Sequence, residues 1–99
     1  MATASGRARG GDASTAIQLT VYWYRIGPSH TWRDPLPAFA SMETGTEPDP
    51  VSLAALAARY GPCVANGPGD GPDEWDLRFW QEEERVLVRV IYRGPAPAP

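Results

Sequence analysis

Two segments near opposite ends of the chain alternate in side-chain character the way a pleated strand does, and they confine the chain to a fold built on a sheet. One is Ala16–Ile26 (AIQLTVYWYRI) and the other is Glu74–Tyr92 (EWDLRFWQEEERVLVRVIY); together they hold seven of the ten aromatic residues. In the first, Ile17, Leu19, Val21 and Trp23 share one face, while Gln18, Thr20, Tyr22 and Tyr24 share the other. The second divides into a hairpin. Trp75, Leu77 and Phe79 oppose Asp76, Arg78 and Trp80; after the acidic turn Gln81–Glu84, Val86, Val88, Val90 and Tyr92 alternate with Leu87, Arg89 and Ile91. The last run is apolar on both faces, which predicts a central strand lying between the other two, all neighbours antiparallel.

The segment between these strands predicts helix. Asp49-Pro50 combines a capping residue with proline at the first helical position, and Val51–Tyr60 (VSLAALAARY) places Leu53, Leu56, Ala57 and Tyr60 on one apolar stripe. Gly61 then supplies a C-terminal stop and Pro62 blocks continuation. A weaker copy of the same signal stands at Asp34-Pro35, where Leu36, Phe39 and Ala40 fall at helical spacing before Gly45. This predicts a second short helix. Pro62–Asp73 is rich in Gly and Pro and predicts a loop, with a short extended piece at Cys63–Ala65. The expected fold is therefore α+β: a three-stranded antiparallel sheet in the chain order β-α-α-β-β, packed on one helix, with a second short helix.

With 99 residues the chain has room for one domain, placed at residues 16–94 between an N-terminal arm (residues 1–15, no apolar period) and a Pro/Ala-rich tail (residues 95–99). The arm contains no apolar stretch of signal-peptide type, and no apolar run approaches the ~20 residues that span a bilayer. The single cysteine, Cys63, excludes an intramolecular disulfide and is expected to be a buried structural thiol. These features lead to a cytoplasmic expectation without membrane contact. All nine basic residues are arginine, in keeping with GC-rich codon usage. Without lysine, Schiff-base chemistry and the P-loop phosphate contact are both excluded.

No motif for catalysis, cofactor binding or metal ligation stands out, and no residue is assigned to any of these roles. His30, in Ser29-His30-Thr31, has a serine beside it, but a Ser-His-Asp arrangement is made by folding and not by adjacency. As a metal ligand it has only carboxylates and one distant cysteine for company. Asp70, Asp73, Glu74 and Asp76 lack the ordered ligands of a calcium loop.

What the strands do offer is a face. Pointing away from the helix, they would display Tyr22, Tyr24, Arg78, Trp80 and Arg89 together with Leu87 and Ile91. Tyr, Trp and Arg are the side chains that dominate protein interfaces. The composition predicts a non-enzymatic protein-binding module, of the small acidic inhibitor, immunity-type or adaptor kind. Its anchors would be Tyr22, Tyr24, Arg78, Trp80 and Arg89, with the turn carboxylates Glu82, Glu83 and Glu84 setting charge complementarity. Two other covers fit the same face: the chain's own loops, or the twin face of a homodimer. The alternative of another class is a small dimeric α+β enzyme or ligand-binding protein with an aromatic-lined pocket. Nucleic acid is disfavoured, because residues 16–94 carry seven Arg against eleven Asp and Glu.

Overall fold

Strand alternation becomes structure where each face has something to bury against. A computed structural model describes residues 16–99; the N-terminal arm expected at 1–15 lies outside the described residues. Strand β1 (Ala16–Arg25) follows the first alternating segment. The described chain then continues through β2 (Ser41–Pro48), α1 (Leu53–Tyr60), β3 (Cys63–Pro68), β4 (Glu74–Gln81) and β5 (Val86–Arg93). β5 lies between β1 and β4, antiparallel to both. Its two-faced apolar pattern is the reason: Leu87 is buried on one side, and Val88 and Val90 on the other.

The expected fold class needs correction. The sheet has five strands in the order β2-β1-β5-β4-β3, all antiparallel, and the described residues form one helix, so the domain is mostly β. No second helix follows Asp34-Pro35. Asp34 closes a turn ahead of itself, its Oδ2 accepting from the Thr31 N–H at 2.8 Å, and the chain beyond it leads without regular structure into β2. β-branched Thr44 and Thr46 suit a strand, and pairing with Ala16–Trp23 of β1 outweighs the local proline signal. Half of the expected loop at Pro62–Asp73 is β3, which contains the extended piece expected at Cys63–Ala65 but runs on to Pro68, and it pairs with the free edge of β4 across a bulge between Cys63 and Ala65. Cys63 is exposed on that outer strand, contrary to the buried thiol expected of it.

Helix α1 starts three residues later than the proline signal suggests. Ser52, not Asp49, is the N-cap, and its Oγ accepts from the Ala55 N–H at 3.1 Å. The next free donor, Leu53 N–H, is taken by the Ala98 carbonyl at 2.8 Å, while Ala98 N–H donates to Val51 at 2.7 Å. The Pro/Ala-rich C-terminal segment thus lies along the helix start and satisfies a terminal amide that would otherwise need water. At the other end Gly61 stops the helix with φ 103°, in the left-handed region, and its N–H donates to Ala57. A Cβ there would lie 2.6 Å from the Trp80 carbonyl oxygen, so glycine is required twice over.

The main core forms where α1 covers the sheet. Leu56 and Tyr60 from the helix meet Leu19, Val21, Leu77, Phe79, Val88 and Val90. Tyr60 is the wedge, with its ring edge-on to Trp23 at 5.5 Å and tilted on Phe79 at 6.1 Å. At the margin of this face, buried Glu47 of β2 is held by Arg59 of α1 at 2.7 Å. That hydrogen bond also raises the arginine's affinity for its proton.

Candidate functional site

The opposite, outer face of the sheet carries every second residue of β1, β4 and β5, and it is divided in two. At one end residues 27–40 cross it as an irregular strap. Trp32 and Leu36 from this strap pack on a second cluster made of Tyr24, Ile26, Trp80 and Leu87, flanked by Val64 and Tyr22. Arg85 fastens the strap by donating to the carbonyls of Gly27, at 3.0 Å, and His30, and its guanidinium lies 5.4 Å over the Trp80 ring. Two of the expected anchors are therefore engaged within the chain. Tyr24 is 6% exposed and Trp80 7%. The open sheet face expected from the pattern is open only over its other half.

That half is polar and arginine-centred. Tyr22, Arg89 and Arg78 stand in one row across β1, β5 and β4, with Arg89 and Arg78 directly opposite each other. Like charges in that position repel. Asp76, two residues from Arg78 on the same face, resolves the conflict: its carboxylate accepts from Arg89 Nη2 at 2.8 Å and Nε at 3.1 Å, and from Arg78 Nη2 at 3.5 Å. Burial pushes the Asp76 carboxyl upward, but the hydrogen bonds and charges of Arg89 and Arg78 outweigh it and hold the group below the usual carboxylate range. The Arg89 guanidinium is bound more firmly to its proton, chiefly by Asp76, against the opposing effect of burial. Two arginines share one carboxylate here, so the row keeps a surplus positive charge in a chain of net charge −3.

Beside the arginines the surface becomes apolar. Met42 of β2 pairs with Tyr22, and Phe39 at the end of the strap meets the Tyr22 ring edge-on at 5.2 Å. Phe39 is 50% exposed and Met42 52%. The sequence pattern assigned Phe39 to a helix stripe and gave Met42 no role; their place on this face depends on β2 pairing with β1. The acidic turn lies at the strap end, away from Tyr22. Glu82 is engaged, accepting from the Trp80 indole N–H at 2.7 Å and facing Arg85 at 3.6 Å, while Glu83 and Glu84 are exposed.

His30 is exposed on the strap with Nδ1 3.4 Å from Ser29 Oγ, and Asp34 is turned to Thr31. The adjoining cleft, lined by Arg25, Ile26, His30 and Pro37 among others, holds about 180 Å³. Among the described residues, no group of three or more His, Cys, Asp or Glu side chains is placed to hold a metal ion. No helix among them is long and apolar enough to cross a membrane. Comparison with protein-family models, with curated proteins and with solved structures gave no match to this chain.

Proposed function

We propose that the protein is a non-enzymatic protein-binding module, an acidic inhibitor or adaptor, whose contact surface is the open half of the outer sheet face. One observation carries the reading: the two exposed large apolar side chains among the described residues, Phe39 and Met42, adjoin Tyr22 and the half-buried pair Arg78 and Arg89. Such a patch combines apolar area with fixed guanidinium donors, the composition of an interface centre. Asp76 pre-orders Arg89, so a partner carboxylate or carbonyl would meet an arginine that has little freedom left to lose. Glu83 and Glu84, at the far end, would favour a partner of matching polarity along the sheet. The pocket alternative has less behind it: no Trp, Tyr or Phe lines the cleft of about 180 Å³ beside His30, and the larger hollows, about 540 Å³ beside Asp73 and Arg93 and about 310 Å³ beside Gln18 and Glu74, carry between them only Tyr92 of the aromatic lining it calls for. The cytoplasm is the compartment this reading takes, where an exposed lone Cys63 stays reduced.

The test is affinity capture from lysate of the native host, comparing wild type with a Tyr22→Ala/Arg89→Ala variant checked for folding by circular dichroism. A protein retained by wild type and lost by the variant is the expected result. An identical retained set would remove this face as the contact surface.

A further inference from the structure

The two edges of the sheet are built differently. β3 is protected by devices that discourage pairing: a bulge between Cys63 and Ala65, glycine at 67, and prolines at 62 and 68. β2 shares only the glycine, at 45, before its last residue and has neither a bulge nor a proline inside it. It pairs with β1 through eight consecutive residues in unbroken register, and among the described residues no strand pairs with its other side. Residues 41–46 are all exposed. An edge of this length, without a partner strand among the described residues, presents a row of unpaired N–H and C=O groups, the template that extended peptides use when they add to a sheet.

We propose that β2 is a docking edge where an extended, basic segment of a partner protein adds as a sixth strand; this rests on the protein-binding reading above. The side chains of β2 state what the segment carries. On the outer face Met42, Thr44 and Thr46 continue the rows of Tyr22, Thr20 and Gln18. A strand beside them places an apolar residue against Met42, at the corner that also exposes Phe39. On the helix-side face β2 presents Glu43 and Glu47. Arg59 neutralises Glu47, but among the described residues no basic side chain pairs with Glu43, whose Oε1 accepts from the Trp23 indole at 3.1 Å. An arginine or lysine at the matching position of the added strand supplies the missing charge. A second copy of the chain does not fit. Antiparallel pairing of β2 with itself, in the registers that keep matching faces together, sets Glu43 and Glu47 directly or diagonally against their counterparts, and like charges so placed repel.

The probe is a phage-displayed library of random twelve-residue peptides selected on the full chain. The expected winners alternate aliphatic or aromatic residues with Arg or Lys. A synthetic winner should lose at least ~10-fold in affinity, equal to ~1.4 kcal/mol, when every second amide is N-methylated in one phase, and little in the other phase. Glu43→Arg should weaken it by a similar factor. Amide exchange should slow within residues 41–48 on binding. Peptides without a two-residue period, indifference to the methylation phase, winners rich in Asp and Glu, or a chain that instead dimerises through β2 would each overturn the proposal. The two readings separate cleanly. A winner lost on Tyr22→Ala/Arg89→Ala but insensitive to Glu43→Arg and to methylation removes the edge and keeps the face. A winner with the opposite sensitivities keeps the edge and removes the face.

Discussion

The two faces of this sheet are made from the same strands but closed by different means. On one side a capped helix lays Leu56 and Tyr60 on a core drawn from β4, β5 and β1, with Ile17, Trp23, Trp75 and Val86 partly buried around it. On the other a strap without regular structure, held at its root by one arginine, covers the sheet through Trp32 and Leu36 and touches Tyr22 only edge-on through Phe39. Beyond it the sheet meets solvent through Tyr22, Arg78, Arg89 and Asp76. A helix seals a face because its apolar stripe repeats at the spacing of the strands below it. A strap seals only where individual side chains land. The helix side therefore holds most of the packing of the domain, and the strap side is where the sheet keeps open surface.

Removing the helix contact tests that division most severely. Leu56→Ala opens a void in the best-packed part of the core and should lower unfolding free energy by about 3–4 kcal/mol in a urea titration. Gly61→Ala comes next. The left-handed backbone and the approach to Trp80 make about 2 kcal/mol the expected loss, measured in the same way. On the strap side the effect should be smaller. Trp32→Ala removes a half-buried ring and should cost about 1–2 kcal/mol, with acrylamide quenching of the remaining tryptophans rising as Trp80 is uncovered. If Trp32→Ala proved as damaging as Leu56→Ala, the two faces would be equal partners in stability and the contrast would fail.

Asp76→Asn sharpens the comparison at the open half. It leaves Arg78 and Arg89 facing each other without their carboxylate, and about 1 kcal/mol should be lost near pH 7. The sign with pH follows from the depressed carboxyl. A group held below its unfolded value contributes fully above the ordinary carboxylate range near ~4, and loses that contribution as pH falls through the lower folded value. The stability gap between wild type and Asp76→Asn should therefore be widest at neutral pH and narrow as pH falls below the ordinary carboxylate range. A gap independent of pH would mean that the pair does not act through charge.

What the sequence disclosed follows the same division. β1, β4 and β5 were legible because each has one face in the main core, and β5 stood out as central because it is buried on both sides. The helix was legible from its Leu and Ala stripe and from Gly61. β2 was not, because Ser41–Thr46 is exposed on both faces and so carries no alternation to read. β3 has the composition of a loop and is a strand only because β4 offered it a partner edge, which also leaves Cys63 exposed. Of the site, a two-residue period sufficed to put Tyr22, Arg78 and Arg89 on one face. That Tyr24 and Trp80 would lie under a strap was hidden, since Trp32 and Leu36 reach them through a segment with no period at all.

The central claim is that the outer face is functionally divided: one half packing, one half contact. The measurement that tests it most directly is the affinity of the captured partner for Tyr22→Ala and for Trp32→Ala, each with its unfolding midpoint determined alongside. The account predicts that Tyr22→Ala weakens binding by about 30-fold, or ~2 kcal/mol, while Trp32→Ala lowers the midpoint further than Tyr22→Ala and changes affinity by less than about threefold. Wild-type affinity in a folded Tyr22→Ala protein, with the loss falling on Trp32→Ala instead, would contradict it and move the contact surface to the strap.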